Sequence, residues 1–234
     1  MPFVSSQQSR VFAGSFAYSA YSRGYNSAST STMLDVATLV DTAAVFIPGQ
    51  TSSTSAMTVL YDTASFAHGA TWRSGDSLPV TFLPSGTALS AECIMVDSIL
   101  TEFATTAPLT DVVAGSLSTT NTGPDDVGEV IAAFAAITAT GNGTSVDDGA
   151  SSANGGVAHL HVSDFSGLTS NTVRIEHSTN NSTWATLTTF TAATGTTSQR
   201  LTIAAGTTVN RYLRVVDTVV GSGSCSRIVT FARR

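Results

Sequence analysis

Two histidines stand two residues apart, His159 and His161, and two aspartates precede a glycine at Asp147-Asp148-Gly149. By type and spacing these are the residues best suited to hold a cation. Side chains at i and i+2 of a strand share a face, so the two imidazoles could reach one ion, but a zinc site needs a third ligand and the surrounding sequence supplies none. A cross-strand hydrogen-bonding role suits the pair better. A calcium loop of the EF-hand kind needs acids at alternate positions and a late glutamate, both missing after Asp147, so this run reads as a turn. For nucleophilic catalysis there is no Gly-x-Ser-x-Gly, the lack of lysine excludes a Walker loop, and the glycines form no dinucleotide fingerprint. Sixteen scattered acids leave a carboxylate pair of the glycosidase kind as a reserve. The expectation is a protein that is not an enzyme, with no catalytic residue, cofactor or metal.

Charge is scarce and unevenly placed. Charged residues make up 11% of the chain against 42% hydrophobic, so a core is affordable while the surface falls to serine and threonine. A monomer usually relies on more surface charge to resist self-association; so bland a surface suits a subunit covered by neighbours. Residues 1–150 hold thirteen acids and three arginines, a balance of −10, whereas residues 151–234 hold three acids and seven arginines, a balance of +4. The acidic part argues against a grip on nucleic acid, which needs clustered basic residues, and fits a wall that repels phosphates.

Strands dominate the elements that must carry these groups. Phe12, Phe16, Tyr18 and Ala20 recur at even spacing in residues 10–21, and further strands are expected at 57–62, 79–83, 92–103 and 112–119. Between them residues 22–32 lose periodicity and read as a loop. Residues 36–47 space Val36, Leu39, Val40, Ala43, Ala44 and Ile47 as one side of a short helix, with Asp35 as cap and Pro48-Gly49 as stop. Residues 138–156, rich in Gly, Ser and Asp, mark a domain boundary, after which 157–162, 172–177, 183–191, 199–203, 211–216 and 226–232 read as strands of a small β-sandwich. Cys93 lies in the apolar run Cys93-Ile94-Met95-Val96 and reads as a buried small hydrophobe; pairing with Cys225 is left open. No apolar run is long enough to span a membrane, and no secretion signal is visible.

Two stretches carry a resemblance: Met33-Leu34-Asp35-Val36-Ala37-Thr38-Leu39-Val40-Asp41-Thr42-Ala43-Ala44-Val45-Phe46-Ile47-Pro48-Gly49, and Gly155-Gly156-Val157-Ala158-His159-Leu160-His161-Val162. Together they resemble the major tail (tail tube) proteins of long-tailed, non-contractile phages that infect actinobacteria. The resemblance implies an all-β fold with one short helix: a tail-tube β-sandwich or barrel domain at 1–149, with an extended stacking loop at about 22–32 and the helix at about 36–47. An outer immunoglobulin-like or jelly-roll-like β-sandwich would follow at 150–234. It further implies a virion protein assembled in the host cytoplasm, whose copies join in rings of six, or of three, that stack into a tube. Tape measure protein and genomic DNA would occupy the lumen without specific binding, and the outer domain would face host surface glycans.

Candidate residues follow from that picture. Asp97, Glu102 and Asp111 interrupt apolar material and are expected to line the lumen, although Asp111 also suits a turn before Val112. Tyr21, Arg23 and Tyr25 are expected at contacts between rings, since aromatic residues and arginine are favoured in interfaces. Trp184 and Tyr212 are the candidates for an outer ligand, with a core role for Trp184 the stronger alternative. Two other classes stay open: a secreted carbohydrate-binding or adhesin module, and a phage capsid decoration or head–tail completion protein.

Overall fold

The computed structural model describes residues 6–18, 22–38, 40, 42–72 and 75–234. The fold is all-β with one short α-helix. In chain order the elements are β1 Arg10–Ala13, β2 Phe16–Ala17, β3 Ser22–Asp35, β4 Phe46–Leu60, helix α1 Thr63–Trp72, β5 Ser77–Leu83, β6 Glu92–Thr106 and β7 Ala114–Asn121. They continue as β8 Asp126–Ile137, β9 Gly141–Asn142, β10 Val146–Asp147, β11 Gly156–Ser178, β12 Ala185–Thr189, β13 Thr197–Ile203 and β14 Tyr212–Arg233. Contacts part the chain into two compact units. Unit 1 comprises Met1–Ala20, Leu78–Met95 and Asp126–Arg234; unit 2 comprises Tyr21–Ser77 and Val96–Asp125.

This corrects the division expected at residue 149. Strand β8, before that point, is laddered to β14, after it, from Cys225↔Ile137 to Phe231↔Glu129. The Gly-rich run 138–156 is therefore a connection inside unit 1, where the short β9 and β10 also pair with β14.

Unit 1 is organised by one ribbon. Strands β11 and β14 pair antiparallel from Gly156↔Arg233 to Ser178↔Tyr212, with register shifts around 162–170. Gly167 and Gly221 lie at the interruption with φ of 74° and 98°, a backbone that other residues resist. The ribbon folds over there. Asp217 and Arg227 would lie about 33 Å apart on a straight strand, yet their side chains meet at 2.5 Å. Ala158, Leu160 and Val162 from one half and Val173, Ile175, Leu213 and Val215 from the other share one buried cluster. Each such Leu or Ile contributes about 1.5–3 kcal/mol by leaving water. The first half of β11 is buried on both faces: Val157 joins Phe12, Leu83, Cys93, Met95, Val130 and Ile228 in a second cluster. Strand β13 covers the outer edge of this half, β12 that of the other, and beyond β14 the order runs β8, β6, β5, β1, β2.

Unit 2 is an antiparallel sheet in the order β3–β4–β7–β6. Along β4, Ser53, Ser55, Met57 and Val59 are buried and Thr54, Ala56 and Thr58 exposed; along β7, Leu117, Thr119 and Asn121 are buried and Ser116 and Thr120 exposed. The sheet thus has one covered and one open face. Helix α1 begins where the Asp62 carboxylate accepts the Ala64 N–H at 2.8 Å. Its buried Trp72 donates from Nε1 to the Ser98 carbonyl at 3.3 Å. Gly69 makes the approach to β6 feasible, since a Cβ there would lie 2.6 Å from the Phe103 ring.

The helix expected at 36–47 is absent. Residues 36–38, 40 and 42–45 are non-helical, and Phe46 and Ile47 open strand β4. Asp35 does cap, but it closes a turn by accepting the Ala37 N–H at 2.9 Å. The described apolar residues that suggested a buried helix side are exposed at the end of a hairpin, and the stretch is rich in β-branched Val, Thr and Ile, which favour strand over helix. The loop expected at 22–32 is likewise strand, paired with β4 over nearly its whole length.

Candidate assembly surface

The feature of unit 2 that calls for a partner is its edge. Strand β3 runs fourteen residues with β4 as its one ladder partner among the described residues, and its sequence SRGYNSASTSTMLD contains only Arg23 and Asp35 as charges. Natural edge strands are usually protected by brevity, lysine, proline or a covering element; here Ser and Thr hydroxyls bond across to β4 instead, Ser31 to Thr51 at 2.8 Å and Thr30 to Ser52 at 3.2 Å. At the end of this hairpin Met33, Leu34, Val40, Phe46 and Ile47 are exposed, Val40 to 89%. Leu109, Val112 and Val113, between β6 and β7, are exposed as well. Apolar residues grouped this way mark an interaction surface.

The covered face of unit 2 is held by hydroxyls as much as by apolar packing. Ser98 Oγ donates to Asn121 Oδ1, Asn121 Nδ2 to Ser53 Oγ, and Ser53 Oγ to Asp125 Oδ1, each at 2.6 Å. Tyr25 turns its hydroxyl onto Ser55 Oγ at 3.1 Å, and burial raises its pKa. Tyr25, expected at a contact between rings, is half-buried and engaged inside the unit. Arg23 is exposed, and Tyr21 lies outside the described residues.

Of the three carboxylates expected together, Asp97 and Glu102 sit on β6 and Asp111 does not. Asp97, Ile99 and Thr101 alternate with the buried Val96, Ser98 and Leu100 and so share the open face. A register shift between Leu100 and Glu102 sets Glu102, exposed, opposite Ser118 on the same side. Asp111 is exposed in the β6–β7 connection, where its carboxylate accepts the Val112 N–H at 2.7 Å. The rest of the open face is Asn, Ser, Thr and Ala: Asn26, Ala28, Thr54, Ala56, Ser118 and Thr120 surround a shallow hollow of about 280 Å³.

Counted by unit, the charge division is smaller than between the halves, −6 against 0, but it falls wholly on one side. Unit 2 has eight acids and two arginines, whereas unit 1 has eight of each. The whole net charge of −6 therefore belongs to unit 2. Unit 1 spends its arginines on internal pairs: Arg227 with Asp217, Arg200 and Arg234 with Asp126, Arg174 and Arg214 with Glu176, and Arg211 with Asp147. Trp184 and Tyr212 are half-buried, each beneath a guanidinium, Arg214 at 4.2 Å and Arg211 at 5.0 Å from the ring centroid. Trp184 belongs to neither buried cluster.

His159 and His161 lie on one face of β11 as their spacing required, and both are fully buried. They meet at Thr81 Oγ1, at 3.0 and 2.7 Å. Burial lowers His161 to about 4 and holds His159 well below the usual value, where the neighbouring His161 and Arg200 add to the effect. Among the described residues no cluster of three His, Cys, Asp or Glu is placed to hold a metal ion. Thr81, Arg200 and Asp126, which complete the histidines' surroundings, come from distant parts of the chain and have no local signature in the sequence.

No protein-family model matches the chain, and no curated protein does. Solved structures do. A chain from the virion of a native gene transfer agent particle overlays with a TM-score of 0.40 at 10% identity, covering 46% of this chain and 85% of its own. A chain of the SPP1 tail tube, determined by solid-state NMR and cryo EM, overlays with a TM-score of 0.45 at 12% identity, covering 53% of this chain and 78% of its own. No described helix is long and apolar enough to cross a membrane.

Proposed function

We propose that the chain is the repeating subunit of a phage tail tube: copies join edge to edge through unit 2 into a ring, and rings stack around a channel that passes DNA. The observation that carries this is strand β3, a fourteen-residue edge without lysine, proline or a second ladder partner among the described residues. Ring closure satisfies such an edge with the sheet of the next copy and leaves no edge over. The charge supports the same assembly. Unit 2 holds the entire net charge of −6, and its open face presents hydroxyls with Asp97 and Glu102 as carboxylates. A wall of that kind, with an excess of carboxylates over arginines, repels phosphates. The exposed apolar end of the β3–β4 hairpin is then the part that meets the next ring, in place of the loop expected at 22–32. Six copies per ring, tape measure protein in the lumen, and contact of Trp184 or Tyr212 with host glycans belong to the same proposal.

The test is electron microscopy of the purified full chain beside an Ala28→Lys/Thr30→Lys variant, both positions being exposed on β3. Wild type forms tubes, and the variant, with two charges on the edge, stays monomeric and folded. Discrete rings that never stack favour a decoration or completion protein. Monomers at every concentration favour an adhesin module, and either outcome overturns the proposal.

A further inference from the structure

Unit 1 buries a hydrogen-bonded chain in which every proton can be placed. His161 Nδ1 lies 2.7 Å from the Gly14 carbonyl oxygen, which only accepts, so the ring carries its proton on Nδ1 and Nε2 is an acceptor. Thr81 Oγ1, 2.7 Å from that Nε2, must donate to it and therefore receives from His159 Nδ1 at 3.0 Å. His159 Nε2 is then left as an acceptor, and Arg200 donates to it at 2.9 Å. The other guanidinium nitrogen reaches Asp126 at 2.7 Å, and Arg234 takes the same carboxylate. Donation thus runs from Arg200 through His159, Thr81 and His161 to Gly14, with both rings neutral.

The chain has no place for another proton. At His159 Nε2 it would face the Arg200 guanidinium. At His161 Nε2 it would turn the Thr81 hydroxyl round, setting two N–H groups on one oxygen and leaving the hydroxyl proton without an acceptor. No carboxylate stands ready to compensate. Strand β5 brings no charged residue, the Arg10 side chain of β1 is bonded to the carbonyls of Gln7 and Ser9, and β2 has no charged residue. On β14, which lies alongside with Thr230 opposite His159 and Ile228 opposite His161, Arg227 is bound to Asp217 and Arg233 to Asp148. Asp126 of β8 is already shared by two arginines.

We infer that this relay is an acid-sensitive latch: with both rings neutral it fastens strand β5 and the β1–β2 turn to β11, and protonation of either ring parts them at Thr81. The latch lies within unit 1 and operates whether or not copies assemble, so it stands apart from the tail-tube proposal. The fastening joins Thr81 of β5 and Gly14 of the turn to one strand, so β5 and the turn should loosen together while the β11–β14 ribbon holds.

Hydrogen exchange of the full chain, read by mass spectrometry at pH 7.5 and 4.5 and corrected for intrinsic exchange, tests this. Peptides covering 10–17 and 78–83 should lose at least tenfold in protection at pH 4.5, while peptides from 212–233 change less than threefold. In a His159→Gln/His161→Gln variant, which cannot titrate, the loss should disappear; a single His161→Gln variant, the milder change, should at least halve it on a logarithmic scale. Unchanged protection of 10–17 and 78–83 at pH 4.5 in wild type overturns the inference, as does equal loss in 212–233 or an undiminished loss in the variants.

Discussion

Replacing Arg227 by methionine tests how the folded ribbon is held. Arg227 and Asp217 are each 5% exposed, joined at 2.5 Å between Nη2 and Oδ2 and at 3.2 Å between Nε and Oδ1. The guanidinium also donates to the Ala133 carbonyl, and Asn171 Nδ2 supports the carboxylate at 3.0 Å. Arg227→Met keeps the length of the stem and strands a buried carboxylate with one amide for company. Breaking a buried pair from one side costs about 3–5 kcal/mol. With a urea m-value of about 2–3 kcal/mol per molar, the unfolding midpoint should fall by about 1.5 M. The double variant Asp217→Leu/Arg227→Met removes both charges and should regain a good part of that loss, since what is left wanting is neutral: the Ala133 carbonyl, and the Asn171 amide, which keeps its bond to Cys225 Sγ. Urea unfolding followed by circular dichroism reads both. A single variant within about 0.5 kcal/mol of wild type, the level of an ordinary surface change, would refute the argument, and so would a double variant no better than the single.

Stability should peak near pH 6.5. His161 holds about 4 in the folded chain against 6.5 unfolded, so stability is complete above 6.5 and falls as acid is added, by about 3 kcal/mol from this ring alone, with His159 adding to the slope. Glu129, raised to about 8 by burial and by Asp148, runs the other way and loses stability as pH climbs from 4.5 to about 8; urea midpoints still rising from pH 6.5 to 9 would contradict the Glu129 sign, and midpoints that do not fall below pH 6.5 the histidine sign. Gly128→Ala should be badly destabilised, by about 2 kcal/mol or more, because its Cβ would lie 2.2 Å from the Phe231 carbonyl oxygen, whereas Gly123→Ala, with open space around it, should match wild type in thermal unfolding. A chain ended at residue 149 strips β14 from β8 and should be insoluble. Soluble, folded protein from that truncation would restore the boundary at 149.

What the sequence disclosed followed the reach of each signal. Alternation placed strands at 157–162, 172–177, 211–216 and 226–232 correctly, because period two is a local property; that the first two merge into β11 and the last two into β14 depends on bends at glycines and is not local. The helix at 36–47 was misplaced because spacing identifies apolar residues without saying whether anything covers them, and at the end of the β3–β4 hairpin Val36, Val40 and Ile47 are exposed among the described residues. Asp111 was legible as a turn residue from its place before Val112, and the reading holds. The latch was half legible. Two histidines at i and i+2 announce a shared face, but their partners Thr81 and Arg200 lie 78 and 41 residues from His159. The charge asymmetry was real yet cut at the wrong place, since the units interleave along the chain.

The interleaving also sets an order of events during synthesis. Every strand of unit 2 is contained within residues 22–121, while unit 1 cannot close until the chain has run on from β8, ending at Ile137, to β14, starting at Tyr212. Pairings so distant in sequence form late. For the time the ribosome takes to cover that interval, about 4–15 s at 5–20 residues per second, the long edge of β3 is complete while unit 1 is unfinished. Nascent chains on one messenger are then able to join through their edges before either has a finished second unit, and a cell producing this protein in quantity gains from a chaperone that holds β3 until β14 arrives.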